Sequence, residues 1–212
     1  MAGSYDFEEQ ERIAELKAWW EDNRFYVIGA IAAAILAYAG WQGWRWYGLR
    51  QAEDAAAMYK PVADAAKGKD AKKIADAAQP LIAKHPGSFY ASESGLVAAK
   101  AAFDANNLDE ARKQLEWVLA KGVDEHRGVA RMRLAAVLME QKKYDEALKV
   151  LDGNKDNAFA ASVADLRGDI MLAQNRLDEA RASYKAAIEK AEGRSPVKNI
   201  AETKLNALGG AQ

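Results

Sequence analysis

Residues 25–44 contain no charged side chain and are mostly apolar, which separates this stretch from the amphipathic remainder of the chain. Twenty residues of α-helix extend about 30 Å, the thickness of the hydrocarbon core of a bilayer. Arginines flank the stretch, and aromatic rings stand where they would meet lipid headgroups: Arg24, Arg45, Tyr26, Trp41, Trp44, Trp46 and Tyr47. The pattern predicts a single transmembrane helix over residues 25–46, in contact with membrane lipid.

Two other interpretations of this apolar stretch fit less well. A buried core helix is usually shorter. A cleaved signal peptide has a basic region that leads into a shorter apolar run, whereas here an acidic tail comes first. We therefore expect a permanent N-terminal anchor.

The tail over residues 1–24 carries seven acidic and three basic residues, a net charge of −4. Ile13, Leu16, Trp19 and Trp20 recur at helical spacing and predict a short amphipathic helix over residues 6–23, although a disordered tail fits equally well. Lysines and arginines near the two ends of the span are equal in number, so charge does not orient the anchor.

Small residues recur along one side of the predicted span. Gly29, Ala33 and Ala37 stand four residues apart, and such a face lets another helix approach closely. We interpret the three residues as a candidate transmembrane docking face. An alanine-rich span also produces this spacing by chance.

The rest of the chain contains an internal repeat. Leu-Asp-Glu-Ala occurs at residues 108–111 and 177–180, and Tyr-Asp-Glu-Ala at residues 144–147. A period near 34 residues with two helices per period is typical of tetratricopeptide repeats. The Asp-Glu pair suits the first turn of a second helix, where the helix dipole favours negative charge.

This register predicts repeats over residues 92–125, 128–160 and 161–194. A divergent helix pair over residues 51–86 precedes them, with its helices at 51–66 and 71–84. A capping helix over residues 195–208 follows, with Ser195 as N-cap and Pro196 at the first helical position. The fold class is therefore all-α: one N-terminal transmembrane helix, then a tetratricopeptide-like α-solenoid over residues 47–212 with a C-terminal cap.

The repeats depart from the usual pattern at two positions and keep it at others. Gly95, Arg131 and Ala164 replace the usual tryptophan, and the proline usual near the end of each repeat is missing. The small position eight residues into each repeat is kept as Ala99, Ala135 and Gly168, and the residues expected to fill the gap between repeats are Leu115, Leu151 and Tyr184.

Candidate chemistry is sparse. The chain has no cysteine, which excludes disulfides and thiolate chemistry. His85 and His126 lack metal-ligand spacing and stand at predicted loop or helix-start positions, so surface or capping roles are expected. Basic residues alternate with acidic ones and make no nucleic-acid footprint. We predict a non-enzymatic protein without metal or cofactor.

Binding is the function that the pattern favours. The first helix of each tetratricopeptide repeat lines a concave face, and the predicted groove residues are Leu96, Lys100, Phe103, Val129, Met132, Ala136, Met139, Asp165, Asp169 and Leu172. Methionine and aromatic side chains suit adaptable contact with apolar segments. The alternative is that these residues are core, covered by a neighbouring helix or by the C-terminal one.

The phrase Val-Ala-Asp-Leu-Arg-Gly at residues 163–168, followed by Asp169, resembles the YfgM-like family of ancillary SecYEG translocon subunits. The acidic tail, the Gly/Ala-rich span ending in tryptophans and the degenerate repeats share that layout. The resemblance implies a bacterial inner-membrane protein with a cytoplasmic N-terminus and a periplasmic repeat domain.

The resemblance also implies partners: the Sec translocon, a membrane-anchored periplasmic chaperone of the parvulin-related type, and newly exported chains. It brings no catalytic residues. A different class of function stays open, in which the protein is a scaffold or regulator of an inner-membrane complex and does not touch exported chains.

Overall fold

A computed structural model describes residues 3–193 and 195–209. Residues 1–2 of the predicted tail, Arg194 at the end of the last predicted repeat, and residues 210–212 lie outside the described residues. The described residues are largely helical and contain no strand. The chain divides into two compact units, Met1–Gln51 and Ala52–Gln212.

Nine α-helices and one short 3₁₀ helix occur within the described residues. They are α1 (Gly3–Lys67), α2 (Ala71–Lys84), α3 (Phe89–Asp104), α4 (Leu108–Lys121), α5 (Asp124–Glu140), α6 (Tyr144–Asp152), the 3₁₀ helix (Asn157–Phe159), α7 (Ala160–Ala173), α8 (Leu177–Lys190) and α9 (Pro196–Ala207).

The first unit consists of the larger part of α1. The helices predicted over residues 6–23, 25–46 and 51–66 form one continuous helix in the structure. No proline interrupts residues 3–60, and a lone glycine such as Gly48 costs a helix only about 1 kcal/mol relative to alanine. α1 contains a window that is long and apolar enough to cross a membrane, and none of that window is buried within the protein.

The second unit is built from helix pairs, and the repeated tetrad begins the second helix of three of them. α4, α6 and α8 start at Leu108, Tyr144 and Leu177, with the Asp-Glu pair in the first turn as predicted. The alanine that follows is fully buried in all three: Ala111, Ala147 and Ala180. The second helix of each predicted tetratricopeptide-like repeat therefore begins at its tetrad.

The divergent first helix pair has the same left-handed turn as the three pairs that carry the tetrad. Asn106, Lys142 and Asn175 each stand two residues before a second helix and adopt the left-handed conformation, with φ near +60°. Lys69 holds the equivalent place before α2, with φ of 55°. Left-handed residues commonly end helices because they turn the next amide back onto the last carbonyls. The helix pair without the tetrad thus makes the same reversal.

Packing accounts for the glycine at position 95 and for the tyrosine of the last repeat. Trp117 of α4 packs over Gly95, where a Cβ atom would lie 3.3 Å from its ring and 2.7 Å from Val118. The tryptophan missing from the first helix is thus replaced by one from the second. In the last repeat, Tyr184 is fully buried against Gly168, so a larger residue on one helix faces a smaller one on the other.

The C-terminal helix covers the last pair. Ala201 and Leu205 of α9 are buried, Ala201 in a cluster with Ala164 and Ala187. Ser195 and Pro196 occupy the predicted N-cap and first positions, although Ser195 makes no side-chain cap hydrogen bond. Ile200 of the same helix is 49% exposed, because it lies about 100° around the helix from Ala201.

The fit of Tyr184 to Gly168 predicts a stability change. In Gly168→Ala the new Cβ would meet the Tyr184 ring at 2.4 Å, and overpacking of this kind costs about 2 kcal/mol. Urea unfolding of the full chain in detergent, followed by circular dichroism, measures the loss.

Two controls accompany this measurement. Gly87→Ala, which has open space around the new atom, should leave the midpoint unchanged. Adding Tyr184→Leu to Gly168→Ala restores the alanine and leucine of the other repeats and should recover part of the loss. A wild-type midpoint for Gly168→Ala would contradict the packing argument.

Candidate protein-binding groove

The first helices of the pairs stand next to one another. α3 contacts α5, α5 contacts α7, and α7 contacts α9. Each of α3, α5 and α7 also packs against its own second helix, α4, α6 or α8. The predicted groove residues lie on α3, α5 and α7, so they belong to one continuous row of helices.

The predicted groove residues differ in how much surface they present. Phe103 and Leu172 are 37% and 39% exposed, whereas Leu96 is only 4% exposed and belongs to the main core cluster. Val129, Met132 and Met139 are half-buried and pack against the same cluster. The alternative of a core role thus holds for Leu96. The binding role of the other residues stays a prediction.

One cavity brings three predicted residues together. Lys100, Phe103 and Ala136 line a cavity of about 270 Å³ between α3 and α5. Its other lining residues are Ala99, Asp104, Leu115, Arg133 and Val137. The repeat pattern did not predict Arg133 as a groove residue, because it stands one residue beyond the groove position occupied by Met132.

The two predicted aspartates have partners within the chain. Lys204 of α9 places its Nζ 2.8 Å from the carboxylate of Asp165 and 2.8 Å from that of Asp169. The Tyr184 hydroxyl donates a 2.9 Å hydrogen bond to Asp169, and Lys204 also lies 5.6 Å from the Tyr184 ring centre. The C-terminal helix therefore supplies one cation that Asp165 and Asp169 share at this end of the row.

Burial shapes the ionisation of this cluster. Burial raises the pKa of Asp165, and the hydrogen bond from Lys204 offsets only part of that effect. Burial and then the hydrogen bond to Asp169 raise the pKa of Tyr184. Burial opposes the charge of Lys204, but its hydrogen bonds to Asp165 and Asp169 outweigh burial and raise the pKa of Lys204. The lysine is the cation that holds the cluster together.

Both histidines have structural neighbours. His85 is buried, caps α2 with its backbone, and places Nε2 2.7 Å from Asp54 Oδ2. Lys84 joins the same carboxylate, and hydrogen bonds from Lys84 and then His85 lower the pKa of Asp54. His126 stacks near Phe89, with ring centres 4.5 Å apart. The capping role expected for His85 is present, but its side chain is not on the surface.

No group of three or more histidine, aspartate or glutamate side chains within the described ranges is arranged to hold a metal ion.

In the first unit, Gly29, Ala33 and Ala37 of the predicted transmembrane docking face are all exposed. Nothing lies within 4 Å of a Cβ atom built on Gly29. The docking role of this face stays a prediction.

The paired helices, their repeated turns and the capping helix define a tetratricopeptide-like repeat protein. A family model described as a tetratricopeptide repeat-like domain matches residues 17–210.

Several proteins named ancillary SecYEG translocon subunit are similar to the chain over nearly its whole length. The one from Neisseria gonorrhoeae is 31% identical over 95% of this chain and 97% of its own length. Those from Haemophilus influenzae and Escherichia coli are each 28% identical, over 97% and 94% of this chain and 100% and 96% of their own lengths. The chain belongs to the family of ancillary SecYEG translocon subunits, and the resemblance read from residues 163–169 is confirmed.

The cluster around Lys204 predicts a pH-dependent contribution to stability. Lys204→Met should lower the free energy of unfolding by about 2 kcal/mol near neutral pH, because it leaves two neighbouring carboxylates without their cation. Because the folded-state pKa of Lys204 is raised, its contribution is complete below the usual lysine pKa and is lost as pH rises through the folded value.

Urea unfolding of wild type and Lys204→Met between pH 7 and pH 11 measures this contribution. The difference in the free energy of unfolding between wild type and Lys204→Met should stay constant up to about pH 10 and then decrease. Lys185→Met, at an exposed lysine of α8, is the matched control and should follow wild type throughout. A Lys204→Met curve that overlies wild type at neutral pH would show that the cluster contributes nothing.

Proposed function

We propose that this protein is a membrane-anchored adaptor of the Sec translocon, without catalytic activity of its own. The observation that carries the proposal is the row of first helices, which presents an open cavity and the exposed side chains of Phe103 and Leu172. A concave, mostly apolar surface with a few polar groups is typical of a binding site. The names of the family members supply the partner, since each is an ancillary SecYEG translocon subunit.

In this proposal α1 anchors the chain in the bacterial inner membrane as a single span over residues 25–46. The acidic tail lies in the cytoplasm and the repeat domain in the periplasm. The membrane window of α1 supports the anchor. The orientation rests on the family layout, because the positive charges near the two ends of the span are balanced.

The repeat domain then contacts newly exported chains and a membrane-anchored periplasmic chaperone. Support comes from the chemistry of the groove: half-buried Met132 and Met139 offer flexible thioethers beside the exposed ring of Phe103. Such side chains adapt to different apolar segments. The Gly29, Ala33 and Ala37 face would let α1 dock against a helix of the translocon.

The alternative proposal is a scaffold or regulator of an inner-membrane complex that does not touch exported chains. It is favoured by Asp165 and Asp169, which both bind Lys204 within the chain. Groove residues committed to internal contacts leave the span and the outer helix faces as the binding surfaces.

Photo-crosslinking in intact membranes separates the two proposals. A crosslinking residue placed at Phe103 or Leu172 should form adducts with translocon subunits, exported chains or the chaperone, because both side chains are exposed on the groove. The same residue at Lys185, exposed on α8, is the control and should give few of these adducts. Adducts from Lys185 with none from Phe103 or Leu172 would exclude the adaptor groove.

Recovery of the translocon with span variants completes this test. If the scaffold proposal is correct, Ala33→Leu reduces translocon recovery while groove variants such as Phe103→Ser do not. Ala39→Leu is the matched control, since two residues beyond Ala37 advance about 200° around the helix. Equal recovery with Ala33→Leu and Ala39→Leu would leave the span as an anchor only.

The orientation is tested by labelling single cysteines, which the cysteine-free chain makes unambiguous. Gln10→Cys and Asn206→Cys place a thiol at exposed positions on α1 and α9. In spheroplasts, a membrane-impermeant maleimide should label Asn206→Cys at once and Gln10→Cys only after the membrane is permeabilised. The reverse pattern would place the repeat domain in the cytoplasm.

A further inference from the structure

The cavity between α3 and α5 has an apolar interior. Ala99, Leu115, Ala136 and Val137 supply small or aliphatic surfaces, and the Phe103 ring contributes to its wall. Its volume of about 270 Å³ falls just below the range of about 300–1,000 Å³ that is typical of small-molecule sites. A cavity of this size suits one large apolar side chain of a bound segment.

The polar residues that line the cavity are biased toward positive charge. Lys100 and Arg133 are cationic, and Asp104 is the only carboxylate among the lining residues. Asp104 pairs with Lys100, but both side chains are about 60% exposed, and ion pairs this exposed contribute little to stability. A ligand carboxylate can therefore replace Asp104 at little cost.

Arg133 is better placed than Lys100 to bind a ligand carboxylate. Its Nη1 donates a 3.1 Å hydrogen bond to the Leu96 carbonyl, which orients the guanidinium, and among the described residues it has no carboxylate partner. A guanidinium has five N–H donors, so several remain for a ligand. Charge-assisted bonds from arginine to a carboxylate are strong and are frequently bidentate.

The α7 end of the row does not offer a second site for an acidic segment. Asp165 and Asp169 share a single cation, Lys204, so this end keeps an excess of negative charge and does not attract an acidic segment. The excess positive charge of the groove therefore lies at Arg133, beside an apolar cavity.

We propose that the α3–α5 cavity anchors a partner segment in which a large apolar residue stands within two positions of an aspartate or glutamate. The apolar side chain fills the cavity, and the carboxylate binds Arg133 with help from Lys100. This proposal rests on the adaptor function and specifies the segments that the groove prefers.

Fluorescence anisotropy with the full chain in lipid nanodiscs tests the preference. The probe is the labelled peptide Ser-Ala-Leu-Asp-Leu-Asp-Ala-Ser-Gly. One comparison peptide has lysine in place of both aspartates, and another has serine in place of both leucines. The acidic apolar probe should bind at least about tenfold more tightly than either comparison peptide.

Variants of the protein assign the preference to the cavity. Arg133→Gln should weaken binding of the acidic probe about tenfold, and Lys100→Glu should shift the preference toward the lysine peptide. Lys100→Glu keeps the test valid if Arg133→Gln is unstable, since Lys100 is exposed. Lys185→Glu is the matched control for net charge and should bind all three peptides as wild type does.

The outcomes separate this proposal from the adaptor function. Equal binding of the acidic and lysine peptides, no binding of either, or Arg133→Gln and Lys100→Glu variants that behave as wild type would overturn the segment preference. If groove crosslinks to the translocon persist in that case, the adaptor function stands and only the preference falls. If those crosslinks are absent as well, both fall.

Discussion

The repeat unit depends on how closely the two helices of each pair approach one another. A fully buried alanine in the first turn of the second helix, at Ala111, Ala147 and Ala180, permits that approach. A larger side chain there would separate the helices and remove the contacts that bury both apolar faces. Because each pair packs only against its neighbours, this contact also sets where the next pair sits. The groove is a consequence of the spacing.

Electrostatics then makes the two ends of the groove different. At the α7 end, Lys204 reaches back from α9 and binds both aspartates, which makes these charged groove positions part of a structural cluster with an excess of negative charge. At the α3–α5 end, Arg133 has only a backbone carbonyl as its partner among the described residues. The two ends of the groove therefore differ in the sign of their excess charge, and this difference would orient a bound segment.

Much of the fold could be predicted from local sequence. The tetrad located the starts of α4, α6 and α8, and the bounds predicted for α2, residues 71–84, agree with the structure, because capping and turn chemistry act over a few residues. Lys204 bonds to two aspartates that stand more than 30 positions earlier in the sequence. The periodic pattern of apolar residues does not predict such a pairing. Arg133 was not predicted as a groove residue for a related reason. Whether it lines the cavity depends on the distance between α3 and α5, and that distance is set by tertiary packing. Leu96 fitted the groove pattern yet is core, since position in a repeat does not determine exposure.

The shortness of α6 has a mechanical consequence. α6 spans Tyr144–Asp152, nine residues against fourteen in α4 and α8, and it packs against α7 less extensively than α4 packs against α5. In a linear array of helices, the junctions are loaded in series, so the softest one takes up most of the deformation. A pull transmitted through the repeat domain would therefore be absorbed between α6 and α7, and the α3–α5 cavity would keep its shape while the far end of the groove bends.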